Sequence, residues 1–226
     1  MPHKLSCCII SSALILSQSV IAGVQIGGSR VVYDGNQKQA AISISNPDDK
    51  PYLIQSWINK QVDNDDNDDT FITTPPIFRL EPHSQNSIRI IYTGKTIPLD
   101  KETVYWLNIK SIPSTSKDAT NQLLITVKNT MKLFYRPPGL PNDASAAYKK
   151  VEFRRHNGKL YAFNPTLFSV SFYEINVNGQ SVDKPAMVLP MQEIPLKHST
   201  PESAQISWRA INDFGGISEE QKVKMQ

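Results

Sequence analysis

The sequence has almost no cysteine, and the little it has stands at the very start. Its 226 residues contain two cysteines, Cys7 and Cys8. They fall in a segment that begins with Lys4, continues with apolar residues 5–16 and ends on small or apolar residues 20–22. This pattern is typical of a secretory signal peptide rather than of a buried N-terminal helix. We predict that residues 1–22 are removed on export, which would leave a chain without disulfides whose stability comes from its core.

The rest of the chain also lacks long apolar runs and concentrations of charge. No later stretch approaches the roughly 20 apolar residues that a membrane-spanning helix needs, so we expect a protein that is not membrane-embedded. The formal net charge is only +3 at pH 7, and the basic residues are scattered along the chain. A nucleic-acid partner is therefore not expected, because such proteins cluster their lysines and arginines.

Motifs for catalysis and metal binding are missing as well. The chain has no Gly-x-Ser-x-Gly and no His-Glu-x-x-His spacing, and His83, His156 and His198 adjoin no nucleophile motif. Aspartates and asparagines at residues 63–69 do not make an EF-hand loop, which needs glycine and glutamate where Asp68 and Thr74 stand. We predict a solvated hairpin tip there, and no enzymatic activity, catalytic residue, metal or cofactor.

What the sequence does contain is a long series of short strand patterns. Turn residues recur about every eight to twelve positions, and no amphipathic helical pattern persists, as is typical of β-sandwiches. A segment with three prolines and a glycine, residues 136–142, interrupts the series. The predicted strands are 30–33, 40–45, 52–58, 87–92, 104–109 and 123–135 before it, and 148–153, 159–163, 169–177, 184–189 and 205–211 after it. We predict an all-β protein with two immunoglobulin-like β-sandwich domains, residues 23–140 and 141–226, joined at an elbow in a boomerang shape.

The longest of these patterns, residues 123–137, is also the most unusual. It is apolar at Leu123, Ile125 and Val127, and it ends at Pro137, which cannot donate to a ladder. Proteins usually shorten or charge an exposed edge strand of this kind, so one that is kept is a candidate for pairing with another chain. The alternative is that these side chains pack inside their own domain, with Leu124 as a competing inward residue.

An ordered set of fragments resembles the periplasmic chaperones of the chaperone–usher pathway, which assemble pili and fimbriae in Gram-negative bacteria. The fragments are residues 28–35, 45–47, 52–57, 74–82, 102–107, 132–137 and 211–216, and they cover essentially the whole exported chain in family order. The short segment at residues 112–121 resembles the short-loop kind of the family. In contrast with the prototype P-pilus chaperone, the second domain has no cysteine pair and the chain stops soon after Val223, which puts the last strand in doubt.

The resemblance implies a mechanism and a set of residues for it. The family lends a strand to a pilus subunit whose immunoglobulin-like domain lacks one, a case of β-augmentation. The lending side chains would be Leu123, Ile125 and Val127. Family position assigns further residues in two groups. Arg30 and Lys132 would anchor the carboxylate at the end of the subunit, and Glu102, Arg136 and Asp213 would form an interdomain ion network that sets the elbow. Simple alternation puts Lys132 on the side opposite the lent residues, and the sequence alone does not resolve this conflict.

The resemblance also implies partners and a compartment. We expect a periplasmic protein that binds pilus or fimbrial subunits, caps their interactive edge and delivers them to an outer-membrane usher. Self-association of the free protein stays open. The rival interpretation is an exported adhesin or a fimbrial subunit, since those are immunoglobulin-like too. Such a subunit usually carries a disulfide and a donor extension before its first strand, whereas residues 23–29 are only a short lead-in.

Overall fold

A computed structural model describes residues 23–62, 69–115, 123–183, 186–199 and 203–225. The predicted signal peptide, most of the run at 63–69 and residues 116–121 of the short segment lie outside these ranges. The strands are β1 (Gln25–Ile26), β2 (Arg30–Asp34), β3 (Ala40–Asn46), β4 (Tyr52–Asn59), β5 (Phe71–Thr74), β6 (Ile77–Leu80), β7 (Ser84–Tyr92), β8 (Thr103–Pro113), β9 (Val127–Arg136), β10 (Glu152–His156), β11 (Lys159–Phe163), β12 (Val170–Val177), β13 (Gln180–Ser181), β14 (Met187–Val188), β15 (Glu193–Ser199), β16 (Ala204–Ala210) and β17 (Gln221–Met225). A 3₁₀ helix, Ala144–Lys150, stands between β9 and β10.

The N-terminal domain is a sandwich of two sheets. One sheet has the strand order β1-β3-β7-β5 and the other β2-β9-β8-β4-β6. Alternate residues of both sheets face inward, as the two-residue period of a strand requires. They form one core that includes Ile44, Ile88, Leu107 and Leu133.

The first part of the chain crosses from one sheet to the other. β1 pairs with β3, whereas β2 pairs in parallel with β9. The crossing follows Gly27, whose amide donates to the Ser43 carbonyl at 2.9 Å. A Cβ at this position would lie 2.0 Å from the Ser43 hydroxyl and 3.3 Å from the Ser43 Cβ, so a larger residue would force the Ser43 side chain to move. The crossing brings Arg30 alongside β9.

The C-terminal domain has its own core and its own two sheets. Its strand orders are β10-β11-β15 and β13-β12-β16-β17, with β14 also paired to β12. The core includes Leu160, Ile175, Ile206 and Trp208. The doubtful last strand is present, because β17 pairs with β16 along its whole length. The fold class predicted from the sequence is confirmed.

Several predicted strand boundaries are wrong: β7 begins three residues before the predicted start, β8 ends four residues after the predicted end, and two other strands begin late. The strand expected at 123–135 begins only at Val127, because β8 ends at Pro113 and the last pair of the two strands is Ser111 with Val127. The strand expected at 148–153 begins at Glu152, and Tyr148 belongs to the 3₁₀ helix. Its carbonyl accepts the indole N–H of Trp208 at 2.9 Å. Tertiary contact thus outweighs the local strand pattern there. The sequence analysis also missed short strands, among them β1, β5, β6, β13, β15 and β17.

The two domains share one local feature, a turn held by a buried asparagine, which we call an asparagine corner. In each domain an Asn-Pro pair ends a strand or follows it, at Asn46 and at Asn164. The Asn46 amide donates to the carbonyls of Lys50 at 2.8 Å and Glu81 at 3.0 Å. The amide of Asn164 likewise donates to carbonyls on both sides of the corner, those of Phe168 at 2.7 Å and Leu189 at 3.2 Å. Each corner therefore ties a turn to a distant segment without a disulfide.

We predict that replacing either asparagine by alanine destabilises its domain. Asn46 is 1% exposed and Asn164 is fully buried, so removal of the amide leaves carbonyl groups without donors where water cannot replace them. The free energy of unfolding should fall by about 1–3 kcal/mol for Asn46→Ala and for Asn164→Ala. Urea denaturation followed by tryptophan fluorescence measures this. Asn86→Ala, at an exposed position of β7, should stay within about 0.5 kcal/mol of the parent protein. Equal losses at all three positions would contradict the assigned role of the corners.

Candidate functional site

The predicted anchor residues, Arg30 and Lys132, lie side by side where the two domains meet. β2 and β9 pair in parallel with Arg30 opposite Lys132. Residues that face each other across neighbouring strands point to the same side of the sheet, so both cations project from one face. The register is continuous from Arg30 to Asp34, with no bulge. The structure thus brings together two residues that are far apart in the sequence.

Lys132 reaches across to the second domain. Its ammonium donates to the Ser171 hydroxyl on β12 at 3.1 Å. Burial and then the neighbouring charge of Arg30 lower the pKa of Lys132 to about 8. A cation held in this way is short of counter-charge, because Ser171 is a neutral partner and Arg30 repels it.

Arg30 has a similar position and an unused donor. Its Nη1 donates to the Ile211 carbonyl of the second domain at 3.0 Å, and its guanidinium lies 5.5 Å from the centre of the Phe134 ring. Its Nε is buried and has no hydrogen-bond partner among the described residues. Burial lowers the pKa of Arg30, and the charges of Asp213 and Glu102 oppose this shift. Two cations and a free donor make a suitable cradle for a carboxylate.

The two faces of β9 carry different chemistry. Met131, Leu133 and Tyr135 point into the core of the first domain, and Lys132 points away from it. By the same alternation Val127 belongs to the apolar side. The pairing of β9 with β8 and with β2 has no bulge that could bring the two groups together. Lys132 and Val127 therefore use opposite faces of β9, as simple alternation predicts, whereas Leu123 and Ile125 precede the strand.

The predicted lent residues are exposed. Leu123 is 86%, Ile125 64% and Val127 48% exposed, so none of them packs in the core of its own domain. Leu124 is 45% exposed and does not take the place of an inward residue. Only Val127 belongs to β9, and it pairs with β8 alone, since the pairing of β2 with β9 begins at Lys132. Within the part of the chain that the structure describes, an apolar row therefore leads from solvent into a strand whose edge has no second partner over residues 127–131.

The predicted ionic residues meet between the domains. The Arg136 Nε donates to Glu102 at 2.7 Å, and its two terminal nitrogens donate to both oxygens of Asp213 at 2.7 Å. Arg136 and Glu102 come from the first domain and Asp213 from the second. The second oxygen of Glu102 accepts the Ser169 amide at 2.9 Å. The planar fork of arginine suits this double contact.

The half of this ion network that lies in the first domain is largely buried. The Glu102 side chain is 1% exposed and that of Arg136 21%. Burial by itself lowers the pKa of Arg136, but the hydrogen bonds to Asp213 and the charge of Glu102 raise it well above its ordinary value. Burial raises the pKa of Glu102, and Arg136 and the Ser169 amide oppose this. Backbone contact adds to the link, because the Glu102 amide donates to the Leu167 carbonyl at 2.9 Å.

Comparison with known proteins decides the family. Residues 23–141 match the family described as pili and flagellar-assembly chaperone, PapD N-terminal domain, and residues 146–222 match the PapD C-terminal domain of pili assembly chaperones. The chain belongs to this chaperone family. None of the helices that the structure describes in this chaperone is long and apolar enough to cross a membrane.

Relatives of the chaperone match over nearly its whole length. It is 38% identical over 217 residues to the probable fimbrial chaperone LpfB of Escherichia coli O157:H7, covering 93% of this chain and 92% of LpfB. It is 34% identical over 227 residues to the chaperone FimC of Escherichia coli K12, covering 96% and 92%. A chain in the structure of the Salmonella enterica SafA pilin in complex with the SafB chaperone superposes with a TM-score of 0.80 at 30% identity, covering 91% of this chain and 98% of that one.

Several contacts at the site of the chaperone escaped the sequence analysis. The Ser171 hydroxyl and the Ile211 carbonyl accept hydrogen bonds from the two cations. The Ser169 amide donates to Glu102. A serine on a strand and a backbone carbonyl give no sequence signal. Among the described residues, no group of three histidine, cysteine, aspartate or glutamate side chains could hold a metal ion.

We predict that Arg136→Ala changes both the stability and the shape of the chaperone. The change leaves Glu102 buried without its counter-charge and near Asp213, and breaking a buried pair typically costs about 3–5 kcal/mol. Urea denaturation should report this loss, and small-angle scattering should report a wider distribution of interdomain distances. Lys150→Ala is the matched control, since it removes an exposed ion pair with Asp143, and should cost less than about 1 kcal/mol. Parent-like stability and scattering of Arg136→Ala would show that the network does not set the elbow.

Proposed function

We propose that this chaperone acts in the periplasm, where it binds pilus or fimbrial subunits by donor-strand complementation and caps their interactive edge. It then delivers them to an outer-membrane usher. The observation that carries the proposal is the exposed apolar row Leu123, Ile125 and Val127 running into the open edge of β9. The signal peptide predicted at residues 1–22 supports the compartment. A related chaperone solved together with a pilin supports the class of partner.

The energetics of the lent residues favour capture. Full burial of a leucine, isoleucine or valine side chain contributes roughly 1.5–3 kcal/mol, so three of them supply several kcal/mol. The loss of free translation and the ordering of residues 123–126, which belong to no strand of the free chaperone, reduce this gain. Backbone hydrogen bonds along the open edge add adhesion that does not depend on the subunit sequence.

The two cations determine where the end of the subunit chain lies along β9. We assign Arg30 and Lys132 to the terminal carboxylate of the subunit, because both donate to neutral partners and Arg30 keeps a buried donor free within the described part of the chain. A carboxylate fixed at Lys132 sets the register of the paired strands, and a slip of one residue would turn every apolar side chain away from the groove.

The proposal also covers the elbow, catalysis and the rival interpretation. The ion network of Glu102, Arg136 and Asp213 holds the elbow at the angle that the captured subunit needs. The protein performs no catalysis, since capture by strand pairing makes and breaks no covalent bond. An adhesin or fimbrial subunit is disfavoured, because the relatives that match over nearly the whole chain are chaperones.

We predict that Ile125→Asp abolishes subunit capture and leaves the free chaperone intact. The carboxylate would have to enter an apolar groove without a partner, at a cost of several kcal/mol. The exposed position in the free protein means that its free energy of unfolding should change by no more than about 0.5 kcal/mol. Co-purification of subunits from periplasm and urea denaturation give the two readouts.

Leu99→Asp is the control for this prediction. Leu99 is 62% exposed, close to the value for Ile125, but it stands in the connection between β7 and β8. This variant should capture subunits as the parent protein does. A normal yield of subunit with Ile125→Asp, or unfolding of the free variant, would refute the lent strand.

We predict that capture weakens at alkaline pH through Lys132. The pKa of about 8 in the free chaperone means that this charge disappears as pH rises through that value. A bound carboxylate favours the protonated lysine and raises its pKa in the complex. The Kd for a carboxyl-terminal peptide of the co-purified subunit should therefore be flat below about pH 7 and rise by up to about tenfold per pH unit above about pH 8.

The variant Lys132→Arg tests whether loss of the Lys132 charge causes the alkaline rise in Kd. Arginine keeps its charge throughout the range, so the Kd of this variant should not depend on pH between about 7 and 9.5, whatever its absolute value. An alkaline rise of the same size in both proteins would assign the titrating group elsewhere.

A further inference from the structure

Phe214 is the most exposed large apolar side chain in the described part of the chain. It is 96% exposed, more than any of the proposed lent residues. It stands in the loop between β16 and β17, next to Asp213 of the ion network. Isolated exposed apolar residues are common on protein surfaces, so the exposure of this ring alone would carry no argument. Its setting provides two further observations.

The loop that carries Phe214 is held in one conformation. The Asn212 side-chain oxygen accepts the amides of Phe214 at 3.0 Å and Gly216 at 2.8 Å. Gly215 has a φ of +84°, and a side chain there would meet the Ser29 hydroxyl of the first domain at 2.6 Å. The loop is therefore packed against both domains, and the ring is presented to solvent by a fixed backbone. Exposure of an aromatic ring to water costs the free protein free energy that burial against a partner would recover.

The ring stands at the rim of a cavity between the domains. The cavity has a volume of about 280 Å³. Much of its wall is apolar, with Phe134 from the first domain and Ala147, Tyr148 and Val170 from the second. Arg30 also lines it. The cavity therefore opens beside the cation that we assign to the carboxylate of the subunit.

We propose that Phe214 and this cavity form a subsite for an apolar side chain within the last few residues of the captured subunit. The inference rests on the proposed function, because it takes the terminal carboxylate to lie at Arg30 and Lys132. It adds a second determinant to the anchor. The charge of the carboxylate is common to every chain end, whereas an apolar subsite selects among chain ends.

Arg30 connects the anchor to the subsite. Its Nη1 holds the Ile211 carbonyl, which begins the loop of Phe214, while its Nε is free for the carboxylate among the described residues. The earlier residues of the subunit continue along the open edge at 127–131, whereas the side chain of its last residue is attached to the carbon next to the carboxylate. An apolar side chain on that last residue can contact the cavity wall and the ring, which removes all three from water.

The test uses the full-length mature chaperone and a peptide with the last 15 or so residues of the subunit that co-purifies with it. Three peptides are compared: the natural one, one with serine in place of its apolar residues nearest the carboxylate, and one with an amidated end. Calorimetry gives the Kd of each for the parent chaperone, for Phe214→Ala and for Tyr173→Ala. Tyr173 is a half-exposed aromatic residue that does not line the cavity, and it serves as the matched control.

We expect Phe214→Ala to raise the Kd of the natural peptide by roughly five- to tenfold and the Kd of the serine peptide by less than about twofold. Tyr173→Ala should bind all peptides as the parent does, and each variant should keep the parent melting temperature. Equal weakening of both peptides, or none, would overturn the subsite. Unchanged peptide binding with failed pilus assembly in cells would also overturn it and would place Phe214 at a contact with the usher.

The proposed function fails in a different way from the subsite. If the parent chaperone binds the amidated peptide as tightly as the natural one, the carboxylate anchor is wrong, whatever Phe214 does. If the parent discriminates against the amide and Phe214→Ala behaves like the parent toward every peptide, the anchor stands and only the subsite is refuted.

Discussion

The contact of Arg136 with two carboxylates is the constraint on which the rest of the site depends. It joins Glu102 of the first domain to Asp213 of the second through three hydrogen bonds of 2.7 Å. Each anchor cation, in contrast, makes one hydrogen bond to the second domain in the described structure, Lys132 to Ser171 and Arg30 to the Ile211 carbonyl. A buried ion pair of this kind contributes more to orientation than to net stability, because desolvation offsets much of its attraction. The relative position of the two anchor cations and the second domain follows from it.

One strand supports both parts of the proposed capture site. β9 directs apolar residues to one face and cations to the other, and its pairing with β2 stops at Lys132. In the described structure β2 therefore covers the edge of β9 from Lys132 to Arg136 and leaves the edge uncovered at residues 127–131. A partner strand that enters along the open edge meets charge only where the edge closes. This arrangement follows from the early crossing of the chain at Gly27, which delivers Arg30 to β9 and leaves β1 in the other sheet.

The described residues contain no cysteine, and the stability of both domains has another visible source. Each has a separate core and a buried asparagine that ties its own corner to a distant segment. The donors of these asparagines satisfy carbonyl groups that would otherwise be buried without partners, which proteins rarely allow. The two domains thus use one local solution, although no longer repeat is visible in their sequences.

The sequence by itself determined the fold class and the family, because strand alternation, turn residues and ordered motifs are local signals that survive without coordinates. It also selected Arg136, Glu102 and Asp213, which do meet in the structure. Local patterns predicted too early a start for β9 and a strand around Tyr148. Both predictions are wrong, because the lack of a pairing partner and the hydrogen bond from the Trp208 indole outweigh local propensity there. Tertiary structure alone decided where the pairing of β2 with β9 stops, the neutral partners of the cations and the cavity at whose rim Phe214 stands. Those features depend on contacts between residues that lie far apart in the chain, and no spacing along it encodes them.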